Sequence, residues 1–155
     1  MKLNTLLIPL VAVLVALLGG LLTAPAIQDW YPTLIKPALN PPNGIFGPVW
    51  TILYIMIASS ALIAFRRVSN KFVLKTISWL FAANAVLNVF WSFLFFSQHL
   101  IFWALVEMVF LNLSTVALIV LIWPRSRLAS LLLVPYVLWV SFATYLTAMI
   151  LLLNP

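Results

Sequence analysis

Long apolar runs broken by short polar stretches set the organisation of this chain. The runs cover about 3–24, 45–65, 73–96, 100–122 and 128–153. Each is close to the roughly 20 residues that a helix needs to cross the hydrocarbon core of a bilayer. The breaks fall at a proline-bearing stretch (25–44), at RRVSNK (66–71), at SQH (97–99) and at PRSR (124–127). The pattern predicts an all-α integral membrane protein: a single five-helix bundle over 1–155, with a long first loop at 25–44 acting as a lid. The other connections are short, so sequential helices are expected to pack as antiparallel neighbours. No internal repeat is evident.

The segment 28–54 departs most from unbroken hydrophobicity, with five aromatic residues and five prolines. Proline fixes φ and pushes the preceding residue out of the helical region. The segment therefore reads as a stiff, aromatic loop feeding a second helix, a covering element. A rival reading of the N-terminus is a signal peptide, because Met1–Ala26 combines a lysine, an apolar run and Ala24-Pro25-Ala26. The run is long enough to span, and proline after Ala24 is a poor setting for cleavage, so a retained first helix is the preferred reading.

Composition narrows the class further. The chain is 66% hydrophobic and 6% charged, which excludes an ordinary soluble domain and a disordered one. With no cysteine, one histidine and two acids, there is no disulfide or thiolate site and almost no material for a metal site. The net charge of +6 sits between apolar runs and not along one helical face, so it reads as topology and not as a nucleic-acid footprint. Lys2, Arg66, Arg67, Lys71, Lys75, Arg125 and Arg127 fall on one side of the membrane, and only Lys36 on the other. The positive-inside rule then puts the N-terminus in the cytoplasm, with the first loop and the C-terminus on the opposite face.

Polar side chains inside spans are costly and therefore informative. Asn84, Asn88 and Ser92 recur every four residues and share a helical face, beside Trp91. Asn84 and Asn88 are read as lining a cavity, with interhelical hydrogen bonding as the alternative; for Asn112, Ser114 and Ser141 both readings stand equal. Glu107 is the single acid within a span. It lies about two turns into the fourth helix, level with Asn88–Ser92, and a hydrogen bond to that face is expected. Its role is read as structural, with proton linkage as the alternative.

The seven tryptophans divide in two. Trp30, Trp79, Trp103 and Trp123 lie near span ends or in the loop, where indoles anchor at the membrane interface. Trp50, Trp91 and Trp139 lie deeper, and buried indoles need a partner for Nε1–H or a ligand to stack on. With Tyr54 one turn after Trp50, they form a wall for a flat, ring-shaped ligand. Pro135 is expected to kink the fifth helix before Trp139. No Ser–His–acid set, phosphate loop, HExxH or CxxC is present, so a conventional hydrolase or transferase has no residues to run on. Binding, transport and chemistry carried by an electron-rich aromatic remain.

Trp30-Tyr31-x-x-Leu34-x-Lys36-Pro37-x-x-x-Pro41-Pro42, followed by Phe46-x-Pro48-Val49-Trp50-Thr51-x-Leu53-Tyr54, resembles the first loop and second helix of the translocator protein / tryptophan-rich sensory protein family. Leu87-Asn88-x-x-Trp91-Ser92-x-x-Phe95-Phe96 is similar to its third helix, Ala104-Leu105-Val106-Glu107 to its fourth, and Pro135-Tyr136-x-x-Trp139-x-x-Phe142-Ala143-Thr144-x-Leu146 to its fifth. The resemblance implies a five-helix bundle, often a homodimer, with a pocket that opens toward the first loop and takes porphyrins such as protoporphyrin IX or a haem-like ligand. Carried over by motif, the pocket residues are Phe46, Trp50, Tyr54, Asn84, Asn88, Trp91, Trp139 and Ala143. No cofactor or metal is implied. Trp50 and Trp139 match tryptophans linked to light-dependent porphyrin breakdown in some members, and would be catalytic only if that reaction occurs here.

Two departures matter. Leu39 stands where the family often has tryptophan in the loop, and Leu146-Thr147-Ala148 lacks the following basic residue of the sterol pattern, which argues against a sterol ligand and fits a bacterial or archaeal source. The leading expectation is a membrane protein that binds, and transports or senses, tetrapyrroles, with the propionates near Lys36 at the pocket mouth. The alternatives are a light-dependent porphyrin-degrading enzyme and a stress-linked regulatory scaffold.

Overall fold

The computed structural model describes residues 3–155, with side-chain environments from Leu6 onward; Lys2, part of the charge bias, lies outside them. The chain forms α1 (Leu3–Asp29), a short 3₁₀ turn at Tyr31–Thr33, α2 (Asn43–Arg67), α3 (Lys71–Ser92), α4 (Ile101–Ile122), α5 (Arg127–Leu131) and α6 (Val134–Leu153). Five helical stretches are long and apolar enough to cross a membrane, with α5 and α6 together making the fifth. The expected five-helix bundle is the observed one.

Three local features differ from the sequence reading. First, α1 runs past Pro25 to Asp29. Proline removes one amide from the helical ladder, but the Trp30 amide still bonds the Ala26 carbonyl at 3.0 Å, and buried Ala26 packs with Tyr31, Phe95 and Phe96. The lid is therefore shorter than 25–44. Second, the fifth span breaks at Leu132–Leu133. Pro135 is the cause: its ring crowds the carbonyl four residues earlier, that of Leu131, where α5 stops. Third, α3 ends in a π-helical turn at Phe93–Ser97, and Phe95 and Phe96 are both buried there.

Packing order also departs from the expectation of sequential neighbours. α1 lies against both α2 and α3, α4 against α3 and α6, and α5 against α2 and α4. α2 and α3 touch through side chains, Trp50 with Trp91 and Tyr54 with Asn88, while α1 lies against both of them, although only a three-residue connection joins the two. Small residues allow this approach of α1. A Cβ built at Gly19 would meet Ser92 Oγ of α3 at 3.7 Å and Tyr54 Oη of α2 at 3.9 Å, ordinary contact distances to both neighbours at once.

Buried side chains form three stacked groups along the bundle. Ala64, Ile77, Leu118, Ile122, Ala129 and Leu133 fill the end where α2 runs into α3. Leu53, Met108, Leu111, Tyr136, Val140 and Ala143 fill the middle. Ala26, Tyr31, Leu94, Phe95, Phe96, Ala104 and Ile150 close the end under the lid. Two caps start helices cleanly: Asn70 Oδ1 accepts the Phe72 and Val73 amides of α3, and Ser126 Oγ accepts the Ala129 amide of α5.

Candidate functional site

The lid spans Trp30–Pro42 and is held at several points. Asn154, just past α6, makes a reciprocal pair with Ile35: its Oδ1 accepts the Ile35 amide at 2.9 Å and its Nδ2 donates to the Ile35 carbonyl at 2.9 Å. The Trp30 ring stacks on His99 with centroids 3.9 Å apart. His99 takes a left-handed backbone (φ 56°) in the α3–α4 turn. Tyr31 is buried against Phe95 and Phe96, and its hydroxyl donates to Asn40 Oδ1 at 2.7 Å. Burial pushes that hydroxyl above its ordinary titration range, outweighing the opposing pull of Asn40, so it remains a donor.

Beneath the lid lies a cavity of about 380 Å³, walled by α1, α2, α3 and α6. That volume falls within the roughly 300–1,000 Å³ typical of small-molecule pockets. One wall is aromatic. Tyr54, Trp50, Trp91 and Phe95 follow one another with centroid separations of 5.4, 6.3 and 5.8 Å and interplanar angles of 27°, 32° and 25°. Each ring is inclined by only 25–32° to the next, so the four form a continuous run of aromatic contacts. The opposite side is small and aliphatic, with Gly19, Gly20 and Ala24 from α1 and Ala143 and Leu146 from α6.

Of the residues expected to line a pocket, Phe46, Trp50, Tyr54, Asn88, Trp91 and Ala143 come together around this cavity. Asn84 and Trp139 do not line it. Trp139 packs edge-on against Phe46, with centroids 6.0 Å apart, one layer behind the wall. Lys36 also stands apart from the lining: its ammonium lies 4.8 Å above the Tyr31 ring and bonds the Leu34 carbonyl. Leu39 is 64% exposed, so the position where the family often has an aromatic faces outward.

Asn84 belongs to a hydrogen-bonded chain that crosses the bundle below the cavity. The Tyr54 hydroxyl donates to Asn88 Oδ1 (2.7 Å), and Asn88 Nδ2 to the Tyr136 hydroxyl (3.0 Å). The Tyr136 hydroxyl donates to Asn84 Oδ1 (3.1 Å), and Asn84 Nδ2 to Ser114 Oγ (2.8 Å) and Thr115 Oγ1 (2.9 Å). Both of those hydroxyls in turn bond the Leu111 carbonyl. The chain links α2, α3, α6 and α4, and every buried group in it is satisfied. A second set, Ser141 to Asn112 and Asn112 to Thr144, bonds α4 to α6. Ser114, Asn112 and Ser141 therefore act as interhelical links.

The expected bond from Glu107 to the Asn88 face is not formed. Register explains it: Asn84 pairs with Ser114 and Thr115, which puts Glu107 level with Trp91 and Ser92, one turn beyond Asn88. Asn88 is already engaged by Tyr54 and Tyr136. Both Glu107 carboxyl oxygens, and Nε1 of Trp91 and of Trp139, are buried without a protein partner.

Sequence reasoning missed Tyr136 as the hub of the chain, Gly19 as a contact of α1 with both α2 and α3, and Asn154 as the tether of the lid. Each left a faint signal: a tyrosine within an apolar run, a Gly-Gly pair in the first span, and the final polar residue of the chain.

Fold and site together define a class: helical membrane proteins of five spans whose first loop roofs an aromatic pocket. The sequence pattern of the TspO/MBR family matches residues 7–153, and the chain belongs to that family. It is 40% identical over 137 residues to Tryptophan-rich protein TspO of Chlorobaculum tepidum, covering 88% of this chain and 87% of that protein. It is 39% identical to the protein of the same name from Archaeoglobus fulgidus over 137 residues, with the same coverage of each. The human Translocator protein is 32% identical over 119 residues, covering 76% of this chain and 70% of the human one. Both prokaryotic relatives are thus more similar to this chain than the human protein is.

Proposed function

We propose that this protein binds a tetrapyrrole such as protoporphyrin IX in the cavity under its first loop, and transports or senses that ligand across a prokaryotic cell membrane. The observation that carries the reading is the run of aromatic rings Tyr54, Trp50, Trp91 and Phe95 along one wall of the cavity. Such rings offer a flat macrocycle apolar and π contact. The residues that α1 and α6 place on the lining are mostly small and aliphatic, with Thr23 and Thr147 the polar ones, and leave room for a planar body. The charge bias supports a lid on the non-cytoplasmic side.

Fluorescence quenching by protoporphyrin IX, titrated in the dark into the detergent-solubilised protein, tests this. Wild type should bind one equivalent. Trp50→Phe and Trp91→Phe should each lose about 0.5–1.5 kcal/mol of affinity, the usual value of an aromatic pair beyond its buried area. If both variants bind as wild type does, the macrocycle lies elsewhere. Illumination adds a second readout: product formation above that in detergent alone, and lost in Trp50→Phe, would support the light-dependent reaction.

A further inference from the structure

A second cavity, of about 260 Å³, lies on the other side of the Tyr54–Asn88 hydrogen bond, between α1, α2 and α3. Apart from its closed end, its lining is almost wholly aliphatic and aromatic, including Val11 and Val15 of α1, Ala58 and Phe65 of α2, and Ala82 and Ala85 of α3. The closed end is Tyr54, Asn84, Asn88 and Tyr136, whose polar atoms already bond one another. A polar ligand entering here would lose its water and find almost no free partner, which disfavours it; a hydrocarbon chain loses nothing.

What lies at the other end is different. Phe65 and Ser78 line the cavity at the end where α2 runs into α3. Arg66 and Arg67 follow Phe65 directly, and Lys71 and Lys75 occupy the first turns of α3; all four are exposed. Lys75 continues the helical face of Ser78, Ala82 and Ala85, at three- and four-residue spacing. No acid offsets these charges: the two acids of the chain are Asp29, at the opposite end of α1, and Glu107, near the opposite end of α4.

An apolar slot in a membrane-spanning bundle, with an uncompensated cationic cluster at its end, matches one ligand chemistry. We propose that this cavity takes an acyl chain of an anionic phospholipid, with the phosphate held by Arg66 and Lys75. The site is separate from the porphyrin cavity, shares only the Tyr54–Asn88 partition with it, and does not depend on the porphyrin reading.

The test uses the full-length protein, delipidated in a neutral detergent. Native mass spectrometry follows retention of dioleoyl phosphatidylglycerol, dioleoyl phosphatidylcholine or inorganic phosphate. The expected result is a single retained phosphatidylglycerol, weaker phosphatidylcholine, and no displacement of the lipid by inorganic phosphate. Arg66→Gln with Lys75→Gln should weaken phosphatidylglycerol by about 30-fold, or about 5-fold per charge, and leave phosphatidylcholine unchanged. Ala85→Leu should weaken both lipids by filling the slot. Equal binding of the two lipids to wild type, or an unaffected charge variant, overturns the proposal. Loss on the charge variant with none on a folded Ala85→Leu overturns the cavity and leaves a surface lipid. The charge positions are exposed, so that arm reports even if Ala85→Leu does not fold.

Discussion

Asn84→Ala should be among the costliest single substitutions in this chain, and its cost should depend on Tyr136. Asn84 makes three side-chain hydrogen bonds, two donated to Ser114 and Thr115 and one accepted from Tyr136. Interhelical bonds of this kind average about 0.6 kcal/mol in membrane proteins. Ser114 and Thr115 lose little, because each keeps its own donated bond to the Leu111 carbonyl. Tyr136 loses more. Its side chain is 1% exposed, and without Asn84 its hydroxyl hydrogen has no acceptor. Stranding a buried donor costs about 1–3 kcal/mol, so the total for Asn84→Ala is about 2–4 kcal/mol.

Removing the stranded hydroxyl should return part of that cost. In a double-mutant cycle, Asn84→Ala with Tyr136→Phe should be less destabilising than the two single changes added, by about 1–2 kcal/mol. Unfolding in mixed dodecyl maltoside and SDS micelles, followed by far-ultraviolet circular dichroism and tryptophan fluorescence, gives the four free energies. Additivity within about 0.5 kcal/mol would refute the hydrogen-bonded chain. Because Asn84 lies outside the lining of the upper cavity, on the proposed function the folded Asn84→Ala protein should bind protoporphyrin IX as wild type does. A large affinity loss in folded protein would make Asn84 a ligand contact and not a brace.

Two further outcomes follow from the walls of the upper cavity and its lid. Gly19→Ala should be tolerated, since its Cβ meets only ordinary contacts, whereas Gly19→Leu projects into the cavity and should lower porphyrin affinity by about tenfold or more; equal affinity of both variants would place the ligand away from α1. Asn154→Ala removes both bonds to the Ile35 backbone. It should speed amide exchange at Ile35 by about fivefold, the factor expected for ~1 kcal/mol of local opening, and leave the thermal midpoint nearly unchanged; protection at Ile35 equal to wild type would show that the tether does not hold the lid.

The five spans were legible because each is a long apolar run with no internal alternative, and bilayer thickness fixes the length that matters. The aromatic wall was partly legible too. Trp50 and Tyr54 are four residues apart on one helix, and Asn88 and Trp91 three apart on another, so periodicity alone places each pair on a face. What periodicity does not carry is which helices are neighbours. α1 lies against both α2 and α3, with Gly19 within reach of Tyr54 and Ser92, and a three-residue connection between α2 and α3 does not predict that. The same gap explains Asn84 and Trp139. The facing partner decided their role: Tyr136, Ser114 and Thr115 engage Asn84 below the upper cavity, and Phe46 lies edge-on to Trp139.

The polar chain has a consequence for selectivity as well as stability. Tyr54, Asn88, Tyr136 and Asn84 divide the interior into an upper aromatic cavity and a lower aliphatic one. Most of their donors are spent within the chain or on Ser114 and Thr115, and the second N–H of Asn88 Nδ2 is left over. The upper cavity is walled in addition by Trp91, whose buried Nε1 has no protein partner. A ligand with a π face and hydrogen-bond acceptors is therefore favoured above the partition, and a plain hydrocarbon below it. Tyr54 borders both cavities, with its ring in the upper wall and its hydroxyl in the partition.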